Sequence, residues 1–255
     1  MTELAPVARH SGPHPFWATF SWGLAISLTF VVVTIIVVMG SMIAAMNERD
    51  INPRDHEAVV ALAEDVGGLG TTLGLSTTFS GLVAGLLVLL AIRLRRGISV
   101  TEYLALRSVP WRTLGLWMLV AVVSSVIYDL VWPLLGVDAV PEFMLHAMRT
   151  GGRSPWLWIG VVVAAPLFEE MFCRGFLLTG WRRSVLGPWG AVILISLLWA
   201  LAHQQYGLLE MLWIFLLGVV LGVARLRTGS IWTPVAMHMV VNFGAMVQGY
   251  WVVFR

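Results

Sequence analysis

The sequence contains no lysine, a single cysteine and few charged residues of any kind. Charged residues make up 12% of the 255 positions and hydrophobic residues 58%, which is far from the composition of soluble globular proteins. A lone cysteine, Cys173, excludes an intrachain disulfide. The sixteen basic residues are all arginine and cluster in short loops, which argues against nucleic-acid binding and for membrane topology.

Sequence patterns of three well-known protease classes are also missing. A zinc-binding HExxH helix is absent, since His56-Glu57 is followed by Val60 where the second histidine would stand. No GxSxG or GxSG element supports a serine nucleophile. Asp129 follows a tyrosine, as in aspartyl intramembrane proteases, but the second aspartate that those enzymes need in a GxGD motif is absent. We therefore interpret Asp129 as structural.

Long apolar runs dominate the chain instead. Seven of them are long enough, or nearly so, to cross a hydrocarbon core of roughly 30 Å as helices. The runs are Phe16–Met46, Leu69–Ile92, Leu114–Leu135, Trp156–Trp181, Trp189–His203, Leu208–Ala224 and Ile231–Phe254. The first run is too long for the apolar region of a signal peptide, so we expect it to be retained.

These runs predict an all-α fold, a polytopic transmembrane bundle of about seven helices within a range of six to eight. Residues 1–255 are expected to form a single integral membrane domain. The long first run, or a surface helix around Thr101–Arg107, would raise the number of helices to eight. Arginines follow the second run, whereas acidic residues follow the first. The arginine-rich loops should therefore be cytoplasmic, with the amino terminus inside and the carboxyl terminus outside.

Few ionisable residues lie inside the apolar runs, and there they indicate function by default, because each costs several kcal/mol unless it is paired or hydrated. They are Asp129, Glu169, Glu170, Arg174, His203 and His238, with Glu210 near a helix end. Glu170 and Arg174 are four residues apart and can pair on one helix face. Glu169 points about 100° away and has no local partner.

The spacing of these residues predicts that they meet. Glu169 and His203 are equally far along the chain from Leu186, in the turn between their two runs, which places them at one depth on neighbouring antiparallel helices. His238 and Asn242 share a face of the last helix at a comparable depth. We expect all four polar groups to converge in one layer of the bundle.

Such a cluster has the groups that a water-activating peptidase needs. A poorly hydrated carboxylate suits a general base, and a neighbouring imidazole can hold the water or share its proton. A second histidine and an asparagine amide on one helix face can stabilise the oxyanion that forms when water attacks an amide carbonyl. No covalent intermediate is required.

At these residues the sequence resembles the CAAX prenyl endopeptidase and bacteriocin-processing (CPBP, Abi) family of intramembrane proteases. Glu169–Arg174 matches the family's EExxxR motif, and His238–Asn242 matches HxxxN. Trp199–His203 resembles FxxxH, with tryptophan in place of phenylalanine. The motifs stand in family order on separate apolar helices. The resemblance covers residues 156–247, which we interpret as the catalytic core.

The resemblance implies a role for each matching residue. Glu169 and His203 would activate water, His238 and Asn242 would form the oxyanion hole, and Glu170 and Arg174 would be a structural ion pair. We favour a metal-free site. Because family members are often labelled metalloproteases, zinc or another divalent metal bound by Glu169, His203 and His238 is the alternative.

The predicted function is thus an intramembrane endopeptidase in a multi-pass membrane protein. Its partners would be the lipid bilayer and a peptide or membrane-protein substrate, with or without an attached lipid. The arginine-only composition points to the cytoplasmic membrane of a bacterium. Two alternatives from other classes are a non-catalytic membrane immunity or scaffold protein and a small proton-coupled transporter.

Overall fold

The computed structural model describes residues 12–255, and in this part of the chain ten helices are joined by short connections, with no β-strand. The helices are α1 (Phe16–Glu48), α2 (His56–Gly68), α3 (Gly70–Leu94), α4 (Val100–Tyr103), α5 (Trp111–Val131), α6 (Glu142–Gly151), α7 (Pro155–Trp181), α8 (Gly187–Leu201), α9 (Leu208–Thr228) and α10 (Trp232–Phe254). The predicted all-α class is confirmed.

Five of the helices in residues 12–255 are long and apolar enough to cross a bilayer: α1, α3, α5 with its 3₁₀ extension to Leu135, α7 and α9. Helix α10 is long enough, with 23 residues, but less apolar. Helix α8 has 15 residues and extends roughly 22 Å, which is less than the thickness of the hydrocarbon core. Helices α1 and α5 expose rows of large apolar side chains, as lipid-facing helices do. The chain is an integral membrane protein.

Each of the seven predicted apolar runs coincides with a helix, although some ends differ by a few residues. An eighth crossing is absent from residues 12–255. The first run is one unbroken helix, and the expected surface helix at Thr101–Arg107 is reduced to the single turn of α4. Two amphipathic helices, α2 and α6, were not predicted. The first of them is marked by Asp55, whose side chain accepts a hydrogen bond from the Ala58 N–H at the start of α2.

Helix α7 lies at the centre of the contacts between the other helices. It packs against α1 and α3 on one side and against α8, α9 and α10 on the other. Helices α8 and α9 form an antiparallel hairpin, and α10 also packs against α5 and α9. Side chains on α7 can therefore meet groups from several spanning helices at once.

Glycines allow α3 and α7 to cross closely. A Cβ atom on Gly74 would lie against the backbone of Trp156, and one on Gly160 would lie against the backbone of Gly74. Small residues at helix crossings let two backbones approach, and this packing drives association where lipid removes the hydrophobic effect between helices. The contacted atoms belong to the main chain, so a larger residue could not be accommodated by a rotamer change.

We predict that Gly74→Leu destabilises the bundle by at least about 1–3 kcal/mol, because the new side chain must force α3 and α7 apart. The measurement is the melting temperature and the monodisperse yield of the protein purified in detergent. Gly40→Leu is the matched control, since a Cβ at Gly40 in α1 meets nothing within 4 Å. Equal melting temperatures for the two variants would contradict the close crossing.

Candidate active site

Helix α7 is irregular on both sides of the two glutamates. Wide π-helical turns span Ile159–Ala164 and Met171–Leu177, and a short α-helical stretch, Ala165–Glu170, lies between them. Pro166 in this stretch has no N–H to donate to a preceding carbonyl, which favours a locally altered helix. The wide turns set the directions in which Glu169 and Glu170 project. Such bulges are frequent at functional sites.

Glu170 is fully buried and binds two cationic or ionisable groups through one oxygen. Its Oε1 atom accepts hydrogen bonds from Arg174 Nη1 at 3.0 Å and from His238 Nδ1 at 2.9 Å. Arg174 Nη2 donates to the carbonyl oxygen of Gly218 at 3.0 Å. The Arg174 guanidinium also lies 4.7 Å from the ring centroid of Trp199. These contacts join α7, α8, α9 and α10.

Glu169 projects away from that pair and is half-buried. Its Oε2 atom accepts a hydrogen bond of 2.5 Å from the indole N–H of Trp199 on α8. The Trp199 ring also contacts both imidazoles edge-on, with centroid distances of 5.2 Å to His203 and 5.3 Å to His238. One tryptophan therefore touches three of the four predicted catalytic residues.

His203 does not lie on a helix, contrary to the prediction. Helix α8 ends at Leu201, and His203 follows in the turn before α9. Its Nδ1 atom lies 2.7 Å from the carbonyl oxygen of Trp199. A carbonyl oxygen can only accept, so Nδ1 carries the proton and Nε2 is left as an acceptor in the neutral ring.

Tyr206 in the same turn is a residue that sequence reasoning missed. Its ring stacks on the His203 ring, with centroids 6.2 Å apart. The Tyr206 ring also contacts the ring of Phe143 on α6 edge-on, at a centroid distance of 5.6 Å. Burial, and secondarily the nearby Glu169 carboxylate, raises the pKa of Tyr206 to about 12. The phenol therefore remains a neutral hydrogen-bond donor near Glu169 at all physiological pH values.

Asn242 is engaged by the backbone of α7. Its Nδ2 atom donates to the carbonyl oxygen of Val161 at 2.8 Å. In the wide turn, the N–H of Ala165 bonds the carbonyl of Gly160, five residues earlier. The next bond of that register would join Pro166 to Val161, but proline has no N–H. Asn242 thus satisfies a carbonyl that the proline leaves free, and its amide keeps one further N–H.

Other ionisable residues singled out in the sequence lie apart from this cluster. Asp129 on α5 is partnered by Gln248 at 3.4 Å in an exposed contact. Glu210 stands in the first turn of α9. Within residues 12–255, no group of three or more His, Cys, Asp or Glu side chains is arranged to hold a metal ion. The alternative metal set of Glu169, His203 and His238 stays a prediction.

Comparison with known families gives a match over the segment that carries these residues. A family model described as type II CAAX prenyl endopeptidase, Rce1-like, matches residues 151–244. The matched segment of 94 residues, out of 255, is similar to that family. It contains all three motifs, from Glu169 to Asn242. The description of the model is that of an endopeptidase family, and the expected resemblance is confirmed.

One similar curated protein is an uncharacterized 24.3 kDa protein of Escherichia coli. It is 40% identical to this chain over 81 residues, which are 31% of this chain and 37% of the relative. The chain thus matches little more than a third of that relative's length. No solved structure matches the chain.

The largest omission of the sequence reasoning is Trp199, which was noted only as an aromatic substitute in the second motif. A signal was present, because tryptophan adds an N–H donor that phenylalanine lacks. The contact of His238 with Glu170 had no comparable signal, since 68 residues separate them in the chain. Asn242 could be linked to the α7 backbone only after the wide turns were known.

We predict that Arg174→Met destabilises the protein by about 3 kcal/mol or more, because Glu170 is left buried with a single partner. The matched control is Arg149→Met, which breaks the Arg149–Glu142 pair, whose side chains are 52% and 73% exposed. Exposed pairs contribute no more than about 1 kcal/mol. Melting temperatures in detergent give the comparison, and an equal small effect of both substitutions would be contrary to the buried role.

Proposed function

We propose that the protein is an intramembrane endopeptidase in which Glu169 and His203 activate a water molecule and His238 and Asn242 stabilise the oxyanion. The observation that carries the proposal is the arrangement around Trp199. A half-buried carboxylate from α7, an imidazole from the turn after α8 and an imidazole from α10 all lie against this one side chain. The similarity of residues 151–244 to an endopeptidase family supports it.

Water activation follows from the hydrogen-bond roles of the two residues. The backbone contact of His203 Nδ1 leaves Nε2 to accept a hydrogen from water. Glu169 has one oxygen bound by Trp199 and a second oxygen to which the structure assigns no partner in residues 12–255. That second oxygen is the group that takes the proton as the water oxygen adds to the peptide carbonyl carbon.

In the proposed oxyanion stabilisation, Glu170 acts through its hydrogen bond with His238. Nδ1 of His238 donates to Glu170, so Nε2 can donate to an oxyanion only when the ring carries both protons. The adjacent Glu170 carboxylate fixes the orientation of the ring by accepting the hydrogen bond from Nδ1. The remaining N–H of Asn242 supplies the second donor.

The tetrahedral intermediate then collapses with breakage of the carbon–nitrogen bond. The electron pair goes to the nitrogen, and the proton held by Glu169 is passed to the leaving amine. The products are a free carboxyl group and a free amine, and Glu169 returns to its charged form. No metal takes part in these steps.

The substrate we propose is a peptide or membrane-protein segment whose cleaved bond enters the bundle from the lipid. A substrate that carries an attached prenyl group is the form of this class that the family's description suggests. We place the protein in the cytoplasmic membrane of a bacterium, in keeping with the arginine-only loops and the relative from Escherichia coli. The arginine-rich loops would face the cytoplasm.

We predict that Glu169→Gln and His203→Ala each reduce cleavage by at least about a thousandfold, since each removes a group that acts on the water. Neither should lower the amount of folded protein, because both side chains are half-buried rather than part of the core. The matched control is Glu210→Gln, which neutralises a carboxylate at the start of α9 and should cleave at the wild-type rate.

Two assays provide the measurement. Quantitative proteomics of membranes carrying wild type or Glu169→Gln identifies proteins that are cut only by the wild type. Purified protein in liposomes is then given two internally quenched peptides, one ending in a farnesylated CAAX sequence and one without the lipid. Cleavage retained by Glu169→Gln or His203→Ala would favour a scaffold, and pH-dependent flux without cleavage would favour a transporter.

We also predict that chelation leaves the reaction unchanged. EDTA and 1,10-phenanthroline should not alter the initial rate of peptide cleavage in liposomes, because in the proposed mechanism Glu169 and His203 activate the water without a metal. Zinc measured in the purified protein by mass spectrometry should be far below one equivalent. Loss of cleavage on chelation, with recovery on adding zinc, would contradict the metal-free mechanism.

A further inference from the structure

The hydrogen bond between Trp199 and Glu169 involves a donor that the proposed chemistry does not use. Trp199 is almost fully buried, with 6% of its surface exposed, and its indole N–H has one acceptor, the Glu169 carboxylate at 2.5 Å. A bond from a neutral donor to a charged acceptor is shorter and stronger than one between neutral groups. An aromatic ring without an N–H would fill the same space without this bond.

We propose that Trp199 is the positioning residue of the water-activating glutamate: its N–H fixes Oε2 and thereby presents the other oxygen to the water. This inference rests on the proposed function and names a residue that acts through Glu169. Trp199 does not touch the reacting atoms itself.

The position of Trp199 explains why one side chain can do this. Its ring is held on three sides, by the Arg174 guanidinium at 4.7 Å and by the edge-on imidazoles of His203 and His238. A ring wedged in this way cannot rotate to release the N–H from Glu169. The carboxylate is thus restrained by a rigid plane, whereas a free glutamate side chain would sample several rotamers.

Trp199→Phe isolates the contribution of the N–H. The main-chain carbonyl that binds His203 Nδ1 is retained in this variant, because it belongs to the backbone of residue 199. An aromatic ring still stands between Arg174 and the imidazoles. The change removes the donor to Glu169 and some ring volume.

The experiment measures kcat and KM for the quenched peptide that the wild type cleaves faster, with the full-length protein in liposomes. For Trp199→Phe we expect kcat at neutral pH to fall roughly tenfold to a hundredfold, the effect of losing a hydrogen bond to a charged group, while KM changes little. A loss confined to kcat is the result expected when the substrate still binds but the base is no longer held in position.

Trp181→Phe is the matched control. Trp181 is equally buried, lies roughly 18 Å further along α7 from Glu169, and donates its indole N–H to the backbone carbonyl of Phe16. This variant should keep both the wild-type kcat and the wild-type KM. A Trp199→Phe enzyme with unchanged kcat, or with a loss that lies in KM, would show that the residue serves packing alone and would overturn the proposal.

A second variant covers the case in which Trp199→Phe does not fold. Benzothienylalanine introduced at position 199 has the shape of tryptophan with sulphur in place of the N–H, so it leaves the packing intact and should show the loss of kcat expected for Trp199→Phe. Full activity of this variant would overturn the proposal. The failure of the proposed function is a separate result, in which wild type and Glu169→Gln do not differ in cleavage of any peptide or membrane protein.

Discussion

The buried Glu170 carboxylate is the group on which the arrangement of the helices depends. A fully buried charge is costly unless hydrogen bonds and opposite charge offset its loss of hydration. Here Arg174 from the same helix and His238 from α10 both bind its Oε1 atom, and Arg174 extends to the carbonyl of Gly218 on α9. Helices that have little hydrophobic reason to associate within lipid are thus fixed relative to one another at the depth where chemistry is proposed.

The irregular backbone of α7 also depends on a contact with another helix, because a side chain of α10 binds a carbonyl that lacks its helical partner. Pro166 removes a donor, the surrounding turns widen, and the Val161 carbonyl that remains is bound by Asn242 of α10. The helix that bears Glu169 is therefore restrained by α10 at two levels, through His238 and through Asn242. A rigid backbone on each side of the glutamates keeps Glu169 directed toward Trp199.

Much of this could be predicted from composition and spacing. Apolar runs of about twenty residues form helices in a bilayer, because a single segment without water can satisfy its backbone hydrogen bonds only within a helix. Ionisable residues inside those runs were identifiable as the candidate site, and the i, i+4 spacing of Glu170 and Arg174 placed them on one face. Helices α2 and α6 could not be found by hydropathy, since both are amphipathic rather than apolar. The end of α8 was placed two residues too late, because the turn that contains His203 continues the apolar pattern.

The sequence alone determined the membrane environment, the helical class and the identity of the polar residues within the bilayer, because these depend on hydrophobicity and on contacts a few residues apart. Only the tertiary structure decided how those polar residues are paired. Trp199 reaches Glu169, His238 reaches Glu170 and Asn242 reaches Val161 across separations of 30, 68 and 81 residues. Which partner each group finds depends on helix rotation and on the wide turns of α7, and neither is encoded in a local pattern.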